Sequence, residues 1–340
     1  MQFTVDAALH GQRIEKILQS QRSGITRSQW KYFVQTKNVL VDGRPALWGE
    51  RIRTGCFVEL LEEPVERDLW TPPPCEQPQL EVSFDHGGFL VLDKPAGLPT
   101  MPRTPVDVPT AAGFIAATWP DIIERASPKR EAGIVNRLDN NTSGLILVAR
   151  DPELYDKYRK YFMNHHVEKE YWALCKGRLT GRSWIEGRVI SDVGPADRVG
   201  WENGDGERGK RAVSLVEPIA AVNNLTLVRV ITRFGRRHQV RVQLASLGCP
   251  LVGDHVYGSR DDDPVTDFPG HFLWARRISF PLTSLRGDGE AKELTHVESR
   301  FLPEPWLELA RQHSLGDHFE NIAPHPGFPR GSLARTQQVD

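Results

Sequence analysis

Short apolar stretches separated by turn residues run along most of the chain. In Arg13-Ile14-Glu15-Lys16-Ile17-Leu18, the residues Ile14, Ile17 and Leu18 recur at helical spacing with charges between them, which predicts a short amphipathic helix. Thr26 and Gln29 have the spacing of a capping box ahead of Trp30, Phe33 and Val34, the signature of a second helix. Val39-Leu40-Val41, the turn pair Asp42-Gly43 and residues 56–60 read as strands around a tight turn. Further on, Phe89-Leu90-Val91-Leu92-Asp93 stops at Lys94-Pro95-Ala96-Gly97, as a buried strand does on entering a turn. Residues 145–149 read as another buried strand and residues 225–230 as an alternating one. Val240, Leu244 and Leu247 then recur at helical spacing before the natural stop Gly248. Arg237 and Arg241, four apart, fall on one face of that helix.

Composition changes divide the chain into parts. VERDLWTPPPCEQPQL, residues 65–80, carries Pro72 to Pro74 and Pro78 and reads as a semi-rigid linker. Residues 310–340 have little periodic apolar content and no expected fold of their own. A small domain, 1–64, and a larger body, 81–309, remain. The 340 residues hold 43 Lys+Arg against 44 Asp+Glu, a net charge of -1, which argues against a wholly basic nucleic-acid coat but leaves a local nucleic-acid surface open. Residues 10–60 hold nine Lys/Arg against four acids. That excess is either a solvated charged face or a phosphate-binding one; Arg22, Arg27 and Lys31 around the start of one short helix favour the second. No apolar run reaches the roughly 18 to 20 residues of a membrane span, and the N-terminus lacks a secretory pattern, so the expected location is cytoplasmic.

Candidate chemistry lies in the body. Residues 136–144, Asn-Arg-Leu-Asp-Asn-Asn-Thr-Ser-Gly, form a polar loop between apolar runs, the kind of place where reactive groups are held. Taken alone, Asp139 in this string also fits a turn residue bonding its own backbone. From Arg229 to Arg241 there are five arginines and no acid, either a solvated face or an anion site; Arg241, flanked by Val240 and Val242, calls for a carboxylate or phosphate partner. Cys56, Cys75, Cys175 and Cys249 form no CxxC pair and read as small hydrophobes in a reducing compartment. No zinc site is expected.

Four motifs, FLVLDKPAGLPTMP, NRLDNNTSGLILVARD, VEKEYWALCKG and GRRHQVRVQLASLGCPLVGDHVYG, occur in the order and approximate spacing found in the RluA-type RNA pseudouridine synthases, which the chain resembles over roughly residues 80 to 300. Upstream, RIEKIL, TRSQ, VLVDGRPA and GCFVEL resemble the small S4-like RNA-binding module first seen in a ribosomal small-subunit protein. The resemblance implies an α+β fold: a catalytic body on a mixed, mainly antiparallel sheet, plus the small N-terminal module. It implies an isomerase that converts uridine to pseudouridine in structured RNA, ribosomal RNA favoured over transfer RNA. Asp139 matches the catalytic aspartate, Tyr171 the tyrosine that packs on the target base, Arg241 the arginine paired with the aspartate, and Arg137 the arginine that holds the flipped-out nucleotide. Arg236, Arg237 and His238 are further candidates to contact RNA. No metal or organic cofactor is expected, no obligate protein partner, and a monomer.

Three positions depart from the family pattern. Asn136 stands where a His is usual, Arg237 replaces a Thr, and Gln243 replaces a His. Asn136 motivates an alternative, a non-catalytic RNA-binding or ribosome-assembly factor that keeps the fold. A metal-dependent hydrolase is disfavoured by the lack of a His/Asp cluster at ligand spacing.

Overall fold

The structure is a computed structural model that describes residues 1–66, 70–191, 198–258, 270–282, 294–299 and 306. The expected tail 310–340 lies outside the described residues. The chain forms two compact units, Met1–Gln79 with Met101–Gly133, and Leu80–Thr100 with Ile134–Asp340.

In the first unit β1 (Gln2–Thr4), β4 (Phe57–Leu60), β2 (Val39–Val41) and β3 (Arg44–Pro45) pair antiparallel in that spatial order. Asp42 and Gly43 join β2 to β3 with φ of 49° and 76°, the pair of left-handed residues a tight hairpin needs. Helices α1 (Ile14–Gln21) and α2 (Arg27–Gln35) put Ile14, Ile17, Leu18, Trp30, Phe33 and Val34 into one core with Val39, Val41 and Val58. Both halves of the Thr26/Gln29 capping box are present. Helices α3 (Ala111–Thr118) and α4 (Pro120–Arg125) belong to the same unit, where the proline-rich segment meets α3 through Cys75 N–H donating to Gly113 O at 3.1 Å.

The second unit is built on one sheet with ten strands among the described residues, in the order β10 (Gly200–Asn203), β9 (Ser183–Ile190), β11 (Lys210–Val222), β12 (Leu225–Thr232), β8 (Glu168–Lys176), β13 (Leu273–Pro281), β7 (Ser143–Ala149), β6 (Phe89–Lys94) and β5 (Glu81–His86), with β14 (Leu294–Glu298) also pairing β13. Every pairing is antiparallel except β7 with β13, so the sheet is mixed and mainly antiparallel, as the α+β expectation holds. At the parallel junction Gly144 has φ 109°, and a Cβ there would lie 2.3 Å from Ala275 O, so only glycine lets the two strands meet. Helix α5 (Pro152–Met163) packs Leu154, Tyr155 and Tyr158 on Phe89, Leu145 and Leu147, while α6 (Gln239–Ser246) packs Val240 and Leu244 on Val228, Val230 and Ala173.

Two local expectations change. The 225–230 strand is buried along nearly its whole length rather than alternately; Thr226 is satisfied inside by donating to Gly177 O at 2.7 Å. Arg237 does not share a helical face with Arg241. His238 takes φ 52° and α6 begins only at Gln239, so Arg237 stays exposed before the helix while Arg241 is buried within it.

Candidate active site

The loop between Val135 and β7 is held from several sides. Asn136 Oδ1 accepts from Leu147 N–H at 2.8 Å, which ties the start of the loop to β7. Thr100 Oγ1 donates to Leu138 O at 2.8 Å and accepts from Leu138 N–H at 3.2 Å. Lys94, fully buried at the end of β6, donates its three N–H groups to Pro95 O, Leu98 O and Asn140 O at 2.8, 2.7 and 3.0 Å. Burial lowers the Lys94 ammonium to about 7, although the Asp139 and Asp93 charges pull the other way. Thr100 and Lys94 therefore fix the residues on either side of Asp139, whose side chain is itself 25% exposed.

Opposite stands α6. Arg241 Nη1 donates to Asp139 Oδ2 at 3.2 Å, while its Nε and Nη2 donate to Asp254 Oδ2 and Oδ1 at 2.7 and 2.8 Å. Asp254 is 2% exposed and also accepts from Val256 N–H at 3.0 Å. Burial works against its charge, but the Arg241 hydrogen bonds and cation outweigh that and hold the carboxyl below the usual range. His238 sets Nε2 3.7 Å from Asp139 Oδ2 and its Nδ1 3.1 Å from the Tyr257 hydroxyl, which accepts from Val199 N–H at 2.9 Å. Burial lowers the His238 imidazole and Asp139 only partly restores it. The Arg241 guanidinium lies 5.3 Å from the Tyr257 ring centroid.

Tyr171, on β8, is half-buried, and burial followed by the Asp139 charge pushes its phenol well above the ordinary range. Its neighbour Lys169 is buried, with Nζ donating to Phe234 O at 2.5 Å; burial and then Arg236 lower it to about 7. Beneath the loop, Thr142 Oγ1 and His271 Nε2 are 2.9 Å apart, and burial lowers His271 to about 4. Gln243 is buried against Ser214, whose hydroxyl donates to its Oε1 at 2.7 Å.

The structure thus brings Asp139, Arg241, Tyr171 and His238 together. Arg137 is exposed, with no ion-pair partner among the described residues. Arg236 Nε donates to Arg211 O at 3.0 Å, and Arg237 is exposed. Arg22, Arg27 and Lys31 lie in the first unit: Arg22 pairs with Glu63 at 2.9 Å, Arg27 lies 5.9 Å from the Trp48 ring centroid, and Lys31 is exposed on α2. Asp254, Lys94, Thr100 and His271 were not among the sequence candidates. Asp254 and Lys94 sit inside recognisable motifs, but their partners are distant in sequence. Among the described residues no group of three or more His, Cys, Asp or Glu could hold a metal ion, and no helix is long and apolar enough to cross a membrane.

A loop-borne aspartate faced by a helix-borne arginine, in a site assembled from amide, hydroxyl and guanidinium donors, defines an enzyme that handles a polar substrate by covalent or proton-transfer chemistry. The sequence model of the RNA pseudouridylate synthase family matches residues 88–246. A ribosomal large subunit pseudouridine synthase D of Pseudomonas aeruginosa is 30% identical over 313 residues, covering 88% of this chain and 92% of the relative. An uncharacterised RNA pseudouridine synthase of Bacillus subtilis is 27% identical, covering 82% of this chain and 88% of the relative. In fold, the human RNA pseudouridylate synthase domain containing 4 matches with a TM-score of 0.53 and 18% identity, over 68% of this chain and 92% of that one. This chain belongs to the RNA pseudouridine synthase family, whose members are isomerases.

Proposed function

We propose that the chain isomerises specific uridines in structured RNA, ribosomal RNA ahead of transfer RNA, with Asp139 as the nucleophile. The observation that carries this reading is the Arg241 hydrogen bond to Asp139, backed by the bidentate grip of Asp254 on Arg241. Relatives named for the large ribosomal subunit support ribosomal RNA. The Asp139 carboxylate attacks C1′ of a flipped-out uridine or removes its 2′ hydrogen, and the N1–C1′ bond breaks. The freed uracil turns and C5 bonds to C1′ as the Asp139–C1′ ester bond breaks or, on the second route, as Asp139 returns the proton to C2′; the C5 proton is then lost and N1 takes one up, so atoms and charge balance and the carboxylate is regenerated. The base has to leave the RNA stack for a side chain to reach the sugar. Tyr171 serves by its ring face; with its phenol pushed upward it stays an O–H and is a poor proton acceptor.

In this reading residues 1–64 dock structured RNA, with Arg22, Arg27 and Lys31 toward phosphates, while residues 81–309 carry the reaction and Arg137, Arg236, Arg237 and His238 hold RNA around the cleft. The enzyme works as a cytoplasmic monomer. Tritium release from RNA labelled at C5 of uracil tests the assignment. Asp139→Asn is expected to abolish release while RNA binding persists, and full turnover by that variant would remove Asp139 from its role.

A further inference from the structure

The two carboxylate oxygens of Asp139 stand in different surroundings. Oδ2 accepts from Arg241 Nη1 at 3.2 Å and has His238 Nε2 at 3.7 Å, while Oδ1 has no hydrogen-bond partner among the described residues. His238 reaches this place from a left-handed backbone, φ 52°, that residues with a Cβ seldom adopt, and its side chain is only 11% exposed. Behind it stands Tyr257. The two rings meet edge to face with centroids 5.8 Å apart, and the Tyr257 centroid lies 5.3 Å from the Arg241 guanidinium and 5.5 Å from that of Arg198.

Which ring nitrogen of His238 carries a proton follows from its neighbours. Burial lowers the imidazole, so at neutral pH it is uncharged and has a single N–H. The Tyr257 hydroxyl has one proton to give and two lone pairs. Val199 N–H can only donate and takes one of these lone pairs at 2.9 Å. His238 Nδ1, 3.1 Å away, is then the acceptor for the phenol proton, since the hydroxyl has no other partner among the described residues. Nδ1 therefore accepts, and Nε2 carries the N–H. The opposite tautomer leaves the phenol proton without an acceptor and turns a bare nitrogen lone pair toward the carboxylate. At 3.7 Å the Nε2–H does not bond Oδ2 in the free protein; a shift of less than about 1 Å closes the gap, the tightening that catalytic contacts undergo when substrate binds.

We propose that Tyr257 is a positioning residue for the reaction: it holds His238 in the Nε2–H form, so that His238 and Arg241 both aim N–H groups at Oδ2 of Asp139 and Oδ1 is left as the oxygen that reacts. The proposal rests on the reading of Asp139 as the group that attacks uridine. On the ester route Oδ1 gives an electron pair to C1′ while the N1–C1′ pair leaves with the uracil; on the other it takes the 2′ hydrogen as a proton and the C2′ pair closes a double bond to C1′ as the uracil leaves. Long-range proton–nitrogen NMR spectra of the full chain labelled with 15N-histidine distinguish the two tautomers, and the signal absent from His238→Asn identifies His238. The expected result is a proton on Nε2 in the unaltered chain and loss of that single form in Tyr257→Phe. In tritium release Tyr257→Phe is expected to lower kcat about tenfold, the worth of one hydrogen bond, with KM little changed. His238→Asn suits the left-handed backbone but has no donor at the reach of Nε2, and is expected to lose about 100-fold. His238→Gln, whose amide N–H reaches as far as Nε2, restores most of that loss. A proton on Nδ1 in the unaltered chain overturns the proposal without any variant, as does a Tyr257→Phe enzyme with raised KM and full kcat. Turnover with the Nδ1–H form removes this proposal alone, whereas no turnover with the Nε2–H form removes the reading beneath it and the proposal with it.

Discussion

Asp254 grips Arg241 through two parallel hydrogen bonds, Nε to Oδ2 at 2.7 Å and Nη2 to Oδ1 at 2.8 Å, and leaves Nη1 for Asp139. A long flexible side chain is thereby reduced to a single pose, and its cation is placed before substrate arrives. The arginine joins a fully buried carboxylate to a half-buried one, so only the Asp139 side of the arrangement is open to chemistry.

Asp254→Asn tests this. The substitution keeps the shape but loses the charge and one acceptor, so Arg241 is freed to swing. Removing one member of a buried ion pair costs about 3–5 kcal/mol of stability. Displacing a reacting group by an ångström lowers the rate by about 100-fold. The expected signature in tritium release is a fall in kcat with little change in KM, because Asp254 is too buried to touch RNA. A raised KM with unchanged kcat would instead place Asp254 in substrate binding.

His271 predicts a loss of stability in acid. Its folded value of about 4 lies below the ordinary imidazole value of 6.5, with burial as the main cause. A group with a depressed value contributes stability above the unfolded value, which is lost as pH falls through the folded one. The window is therefore pH 6.5 down to 4. His271→Asn, which can still bond the Thr142 hydroxyl, is expected to flatten urea-unfolding stability against pH across that window. An identical slope in both proteins would show that His271 is not buried as an uncharged ring.

Lys169 makes the opposite end of the pH scale informative. Burial, then Arg236, brings it to about 7 from 10.5, so between these values the unfolded chain binds a proton that the folded chain lacks. Stability contributed by the neutral amine thus rises with pH from 7 to 10.5. Lys169→Met is expected to reduce that slope by up to about 1.4 kcal/mol per pH unit. Chemical denaturation at a series of alkaline pH values measures it, and an unchanged slope would mean that the folded lysine keeps its proton.

What could be read along the chain was what depends on near neighbours. The Thr26/Gln29 capping box, the Ile14/Ile17/Leu18 stripe and the Asp42-Gly43 hairpin are properties of four to six successive residues, and the structure has each of them. The Arg237/Arg241 pairing failed because helical spacing assumes a helix, and the left-handed His238 starts α6 two residues after Arg237. Asp139 and Arg241 lie 102 residues apart, and only the family resemblance connected them. Asp254 was invisible as a partner for a similar reason. An Asp in a Gly-Asp-His turn has no local mark of its arginine, and the need of Arg241 for a carboxylate was already met on paper by Asp139. Gln243 for His is a departure that the fold absorbs, since the amide is held by Ser214 inside the second unit.

Lys94 gives the last prediction, since its three donors are all spent on backbone carbonyls. Two of these, Pro95 O and Leu98 O, close the turn after β6, and the third, Asn140 O, follows Asp139 directly. Lys94→Met fills similar space but leaves the buried Leu98 O without a donor and turns the part-buried Pro95 O and Asn140 O over to water. An unsatisfied buried acceptor costs about 1–3 kcal/mol, so a stability loss of about that size is expected, most of it from Leu98 O. Because Thr100 still holds Leu138, the loop is released only on its Asn140 side, and kcat should fall while affinity for RNA stays close to that of the unaltered chain. Thermal unfolding and tritium release measured on the same preparation check both parts. Normal turnover with reduced stability would leave Lys94 as a brace for the turn after β6 and take away its part in placing Asp139.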